Sequence, residues 1–252
     1  MIKKFDLIFS LGEACSCTQA LREYNLQIYS YRFDWLSGSD FLLRCNILAN
    51  GFKDFIKKED LQYCCENRNI KCVAYKNKKN NLTFNHDFLK EMPFDNAYNY
   101  VKEKYKRRIK RLLNKINKSK AVLVVYMEIP TRNHQKTTNE EIIKGYSILQ
   151  EAYKNKINLL YIKNESQNYT VEFLENNKVT VISKDYKNYN SKQDYVADIG
   201  KLKDIFAEYK LNLPIFYIKI RKIIKYLLDF IPIKSKRHKL KKLLLCLRIF
   251  LN

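Results

Sequence analysis

Cys15 has the sequence setting best suited to covalent chemistry in this chain. An apolar run that favours a β-strand, residues 5–11, ends at Gly12, and residues 15–24 have a helical pattern. A strand, a tight glycine turn and a helix lift a side chain clear of the sheet, where the helix N-terminus favours an anion. This setting predicts a reactive thiol with a lowered pKa. The alternative is a small buried cysteine that packs under the first strand.

A cysteine nucleophile needs a base within hydrogen-bond reach. The chain has three histidines. We expect His86 to be the base, because its Asn-His-Asp triplet has an aromatic residue on either side. The alternative is His134, which follows the strongest predicted strand. His238 lies in a basic tail and is a poor candidate. A purely structural, hydrogen-bonded role for His86 stays open.

Two carboxylates lie near these residues in the sequence. Asp34 lies between Phe33 and Trp35, so it is expected to be partly buried and to need a partner. It either orients His86 as the third catalytic group or holds a backbone turn. Asp87 directly follows His86 and is a candidate for the substrate-binding wall together with Trp35. As a neighbour in the chain it tends to point away from His86, but whether Asp34 or Asp87 orients the histidine stays open.

Other candidates concern anion binding. Backbone amides after Gly12 could stabilise the oxyanion of acyl transfer. Arg108 and Arg111, three residues apart on a predicted helix, either form a solvated basic face or turn inward onto carboxylates or an anionic ligand. We expect no nucleotide cofactor, because no Walker loop or dinucleotide glycine motif is present. We expect no metal, because the seven cysteines lack paired metal-ligand spacing and Cys17 is best explained as core packing.

Four segments resemble a bacterial family of papain-like cysteine peptidases. They are Ser10-Leu-Gly-Glu-Ala-Cys15, Ser30-Tyr-Arg-Phe-Asp-Trp-Leu36, Phe84-Asn-His-Asp-Phe88 and Tyr105-Lys-Arg-Arg-Ile-Lys-Arg-Leu112. The resemblance covers roughly residues 4–165, with Arg32 in place of the usual proline. It implies that Cys15 is the nucleophile and His86 the base.

The order of predicted elements indicates the fold class. The run at 121–127 is apolar throughout, as in a parallel strand buried on both faces. From there a strand and a helix alternate, which favours parallel strands with helices on both faces. A papain-like fold instead has an antiparallel barrel, but we follow the alternation and predict an α/β fold, a three-layer sandwich with a mostly parallel sheet. The active site is then expected at the carboxyl ends of the strands, where Cys15 and Glu128 fall.

Further elements are predicted from local patterns. Strands are expected at 27–31, 70–76, 81–85, 157–162 and 178–182, and helices at 39–50 with Ser39 as cap, in part of 52–66, and at 96–117, 139–154 and 194–209.

The net charge of +22 is uneven along the chain. Residues 214–252 contain eleven Lys or Arg and one acid, Asp229. We therefore divide the chain into an α/β domain, 1–212, and a basic amphipathic helical tail, 213–252. Residues 215–251 are expected to lie on an anionic membrane surface, and the alternative is a helix packed on the domain.

These features predict a cysteine-nucleophile hydrolase of a peptide or acyl substrate. The alternative is a non-catalytic or carbohydrate-related protein that acts on cell-surface polymers at the inner membrane. The positive charge alone is weak evidence for binding to nucleic acid, and the sequence contains no recognised nucleic-acid-binding motif. No signal peptide is evident, so we expect a reducing, cytoplasmic setting, peripheral on the inner membrane.

Overall fold

A computed structural model describes residues 2–66, 71–130, 136–154, 156–165, 169–193 and 196–213. The helices are α1 (Cys15–Glu23), α2 (Phe41–Ala49), α3 (Phe94–Lys118), α4 (Asn139–Tyr153) and α5 (Lys203–Ala207). The strands are β1 (Lys3–Phe5), β2 (Leu7–Ser10), β3 (Leu36–Ser37), β4 (Leu61–Glu66), β5 (Cys72–Asn77), β6 (Thr83–Leu89), β7 (Val122–Met127), β8 (Ile157–Asn164), β9 (Thr170–Leu174), β10 (Val179–Lys184) and β11 (Tyr209–Leu211).

The central sheet has five strands in the order β2-β7-β8-β10-β9. The first four are parallel, and β9 is an antiparallel edge strand that pairs with β10. The predicted α/β class with a mostly parallel sheet is therefore confirmed. Because β2 and β7 are parallel neighbours, their carboxyl ends place Cys15 and Glu128 at the same edge of the sheet.

Both faces of this sheet are buried. On one face Phe41 of α2 packs edge-on against Tyr126 and Tyr161. On the other, α1 contacts β2 and β7, and the Cys17 thiol donates to the Val125 carbonyl at 3.6 Å. Burial on both faces explains why β7 is apolar at every position.

A second, antiparallel sheet in the order β3-β6-β5-β4 was foreseen only in its central hairpin, β5 and β6. The α3 helix packs against β6. β1 and β11 form a separate parallel pair. The molecule thus contains more than the single sheet of the predicted sandwich.

Three local predictions are wrong, and a fourth holds for a single turn. Residues 27–31 contain no strand. Residues 52–66, expected to be helical in part, contain one short 3-10 helix, Lys58–Asp60, followed by the strand β4. Asp40 caps α2 by accepting from the Leu43 amide, because Ser39 is left-handed (φ 64°) and a cap needs extended backbone. Within 196–209 the helix is limited to α5, preceded by a 3-10 turn at Ile199–Leu202.

Two predictions fall outside the described residues, namely His134 and the amphipathic tail at 215–251. Among the helices that the structure describes, none has both the length and the apolar character needed to cross a membrane.

Candidate active site

The turn before Cys15 depends on a close backbone approach at Gly12. A Cβ atom on Gly12 would lie 2.6 Å from the Cys17 Cβ and 3.3 Å from the Met127 amide nitrogen. No side chain fits there, so glycine is required for the turn to pack against both α1 and the end of β7. The Gly12 amide itself donates to the Ser10 hydroxyl at 3.1 Å.

Arg44 of α2 holds this turn from the side. Its guanidinium is fully buried and donates to the carbonyls of Gly12 and Gly38, each at 2.6 Å. Longer bonds of 3.2–3.4 Å reach the carbonyls of Leu11, Glu13 and Leu36. Arginine is suited to this role because its fixed fork of five N–H donors can serve several carbonyls at once.

Two buried glutamates fix the sheet edge beside the turn. Glu13 accepts from the Ile129 amide at 3.1 Å, and its own amide donates to Met127. Glu128 accepts from the Tyr161 hydroxyl at 3.0 Å and from the Asn164 amide at 3.1 Å. The loop after β7 is therefore tied both to the cysteine turn and to β8.

Cys15 is the first residue of α1 and is half-buried. Ala14 occupies the cap position and offers no side-chain cap. Burial raises the pKa of the Cys15 thiol above its ordinary value, although the backbone amides of Cys15 and Ser16 act in the opposite direction. The lowered pKa expected from the sequence is therefore wrong, because desolvation outweighs the helix N-terminus.

A polar row runs along α1 from the thiol. Residues three and seven positions apart share one helix face, so Thr18 and Arg22 lie on the Cys15 side, with Arg22 about 10 Å along the axis. Arg22 donates to Asp34 at 3.3 Å and to the Ser30 hydroxyl at 2.7 Å. The row connects the cysteine helix to the segment that carries Asp34 and Trp35.

Asp34 is fully buried and holds a turn. One of its oxygens accepts from the Tyr31 amide and from the Gln27 side chain, each at 2.8 Å, as well as from Arg22. Burial raises the pKa of Asp34 to about 6, although these donors and the Thr18 hydroxyl act to lower it. Of the two roles left open from the sequence, these contacts favour the turn.

His86 lies on β6 and is exposed. Its ring meets Trp35 edge-on with centroids 5.9 Å apart, and the Arg22 guanidinium lies 5.6 Å from the Trp35 ring. Short contacts thus connect His86, Trp35, Arg22 and Asp34. No hydrogen bond between the Cys15 thiol and His86 occurs in the described part of the chain.

Asp87 points to the opposite face of β6, as successive strand residues do. It is buried, pairs with Lys104 at 2.5 Å and accepts from the Tyr105 hydroxyl at 2.5 Å. Asp87 therefore anchors the second sheet to α3, and its contacts do not orient the imidazole of His86.

The two arginines of α3 stack on aromatic rings. The Arg108 guanidinium lies 5.6 Å from the Tyr105 ring, and that of Arg111 lies 5.5 Å from the Tyr29 ring. Neither forms an ion pair with a carboxylate of the described residues. The two arginines therefore match neither interpretation fully, since they contact aromatic rings instead of forming a solvated face or pairing with a described carboxylate.

Sequence reasoning missed Arg44 and Arg22. A signal existed for Arg44, because it lies three residues after Phe41 and four before Leu48 on the apolar face of a predicted helix. A charge at such a position is buried and must find several acceptors. Arg22 gave no comparable signal, since an arginine near a helix C-terminus is ordinary.

A family model described as "Putative papain-like cysteine peptidase (DUF1796)" matches residues 6–160, more than half of the chain. The match includes the cysteine turn, Asp34, Trp35, His86 and α3. No curated protein and no solved structure matches the chain.

Proposed function

This chain belongs to the family described as "Putative papain-like cysteine peptidase (DUF1796)", and from that premise we propose that it is a hydrolase in which the Cys15 sulfur attacks the carbonyl carbon of a peptide or other acyl substrate. The observation that carries the proposal is the position of Cys15. It begins α1 at the carboxyl ends of β2 and β7, and the backbone amides of Cys15 and Ser16 act to lower the pKa of its thiol. A helix N-terminus favours both a thiolate and a developing oxyanion.

The reaction follows from these groups. The thiol proton passes to the imidazole of His86 as sulfur bonds to the carbonyl carbon, and backbone amides at the start of α1 bind the oxyanion. Collapse expels the amine or alcohol, which takes the proton from the imidazolium and leaves a thioester on Cys15. Water then hydrolyses the thioester, the imidazole acts as base, and the carboxylic acid and free thiol are released.

The resting thiol requires a base to be activated. Because burial keeps the pKa of Cys15 high, the thiol holds its proton until the imidazole approaches. His86 is exposed and next to the partly buried Trp35, so we propose that a substrate settling over Trp35 brings the imidazole towards the sulfur. Hydrogen bonds of catalysis are often incomplete before substrate binds. His134 remains the alternative base. Asp34 is proposed as a positioning residue that holds the turn of Trp35.

Hydrolysis of an activated ester tests the proposal. With p-nitrophenyl acetate, the full chain is expected to release nitrophenol over many turnovers, while Cys15→Ala falls to the uncatalysed rate. His86→Asn is expected to lower the rate by about a hundredfold or more, the usual contribution of a general base. Cys64→Ser is the matched control, because Cys64 is exposed on the edge strand β4. Equal turnover by Cys15→Ala would refute the nucleophile assignment.

The second candidate is a non-catalytic or carbohydrate-related protein that acts on cell-surface polymers at the inner membrane face. It is favoured by the same resting geometry, in which the thiol has a raised pKa and no hydrogen bond to His86. It is supported if the wild-type protein gives no turnover above Cys15→Ala with either esters or peptides.

For the basic tail we propose association with an anionic membrane surface through residues 215–251. The support is the sequence pattern alone, in which apolar side chains recur at helical spacing between lysines and arginines.

A further inference from the structure

A cavity lies between α3 and residues 52–59. Its volume is about 630 Å³, within the range of small-molecule sites. One wall is a single face of α3 that includes Tyr98, Lys102 and Lys106. The other wall includes Phe52 and Phe55. None of the groups around Cys15 lines it.

A buried positive charge also lines this cavity. The Arg32 side chain is fully buried, and its guanidinium carbon lies 3.4 Å from the Phe55 ring centroid and 3.7 Å from that of Tyr105. Within the described residues, none of its three side-chain nitrogens has a hydrogen-bond partner. Aromatic faces stabilise a cation but do not replace the acceptors that five N–H donors require.

The nearby charges leave this cation short of negative partners. The buried carboxylate of Asp87 acts on Arg32, but its oxygens already accept from Lys104 and Tyr105. The lining contains five basic side chains and two acidic ones. Of the acids, Asp54 is already paired with Lys57 at 3.2 Å. Among the residues that the structure describes, the ion-pair partner of Lys106 is the exposed Glu103 at 3.8 Å. A cavity with low-dielectric walls concentrates the field of such cations and attracts an anion.

We propose that this cavity binds an organic anion with a flat apolar body and a phosphate or carboxylate group. The body would pack between Tyr98 on one wall and Phe52 and Phe55 on the other. Lys102 and Lys106 would contact the anionic group directly. Arg32 would act from beneath the aromatic layer as the fixed charge that the ligand neutralises. An apolar wall with a few placed charges is the usual composition of a small-molecule site.

Calorimetric titration of the full chain with 1-naphthyl phosphate tests this proposal. Inorganic phosphate and 1-naphthol are titrated in parallel, because each carries only half of the proposed ligand. We expect 1-naphthyl phosphate to bind at least about tenfold more tightly than either fragment, since both halves of the site are used. We expect the affinity to fall with added salt. Binding no tighter than the better fragment would overturn the proposal.

Substitutions locate the site. Arg32→Met removes the charge and leaves a shorter, apolar side chain that can still contact the aromatic rings, so we expect at least about tenfold weaker binding. Its melting temperature is expected to be unchanged or higher, because an unpartnered buried charge is removed. Lys144→Gln, an exposed lysine of α4, is the control and should bind within about twofold of wild type. Unchanged binding by Arg32→Met would refute the assignment. If Arg32→Met does not fold, the affinity of the Lys102→Gln/Lys106→Gln protein for 1-naphthyl phosphate is measured instead. Unchanged affinity of that protein would also refute the proposed site.

Discussion

The Arg44 guanidinium donates a 2.6 Å hydrogen bond to the carbonyl of Gly12, three residues before Cys15. The same side chain reaches Gly38, next to the segment that carries Asp34 and Trp35. One buried cation of α2 therefore connects the cysteine turn to the other side of the proposed site. Several backbone carbonyls depend on it as their donor.

Arg44→Met should destabilise the protein by about 3 kcal/mol or more, because the buried carbonyls lose their donor and gain no water. Urea unfolding followed by circular dichroism measures this change. Arg107→Met is the matched control, since Arg107 is exposed on α3 and should change stability by less than about 0.5 kcal/mol. Equal effects of the two substitutions would contradict the role given to Arg44.

The buried carboxyl of Asp34 predicts a pH dependence of stability. Its pKa is about 6 in the folded protein, and an unfolded aspartate titrates near its ordinary value of 3.8. Between these values the folded state binds more protons than the unfolded state, so stability falls as pH rises from about 4 to 6. The predicted fall reaches about 3 kcal/mol and stays constant at higher pH.

Asp34→Asn should remove the fall in stability that the titration of Asp34 causes between about pH 4 and 6. The measurement is the difference between the wild-type and variant unfolding free energies at intervals from pH 4 to 8, which cancels the other titrating groups. Parallel pH profiles for the two proteins would show that Asp34 does not titrate in this window.

The Cys15 thiol should alkylate slowly at neutral pH. Because burial raises its pKa, the rate of reaction with iodoacetamide is expected to rise with pH and to inflect above pH 9. Cys64→Ser/Cys65→Ser removes the two thiols that are exposed in the described part of the chain. His86→Asn should leave this profile unchanged without substrate, since the two side chains are not hydrogen-bonded at rest. An inflection below pH 7 would instead indicate a standing thiolate–imidazolium pair.

The tail prediction is tested by truncation. A chain that ends at Leu213 should fold and should lose co-sedimentation with phosphatidylserine-containing vesicles at low salt, because it lacks ten net positive charges. Vesicles of phosphatidylcholine alone are the control and should bind neither protein. Equal sedimentation of the full-length and truncated chains would exclude the tail as the membrane contact.

Local signals predicted the frame of the site well. The strand–glycine–helix unit around Cys15, the buried strand β7 and the capped start of α4 each depend on neighbouring residues. Thr138 and Asn139 were both candidates for the cap of α4, and Thr138 forms a capping box with Glu141. The parallel order of strands followed from their alternation with helices.

What the sequence could not supply were contacts between distant segments. Arg44 serves carbonyls some thirty residues away, and no local pattern shows which acceptors a buried arginine will meet. The predicted strand at 81–85 ended before His86, whereas β6 continues to Leu89. Only that extension reveals that His86 and Asp87 point to opposite faces. The thiol pKa depended on the depth of burial, which a helix start alone does not determine.

The proposed reaction requires Cys15 to form a covalent acyl intermediate. Its most direct test is to mix the Cys64→Ser/Cys65→Ser protein with p-nitrophenyl acetate, quench in acid within the first turnover and locate the added acetyl group by peptide mass spectrometry. We expect one acetyl group, carried by the peptide that contains Cys15 and absent from Cys15→Ala. In His86→Asn it should accumulate more slowly. Turnover without acetylation at Cys15, or equal acetylation of another residue, would contradict the account.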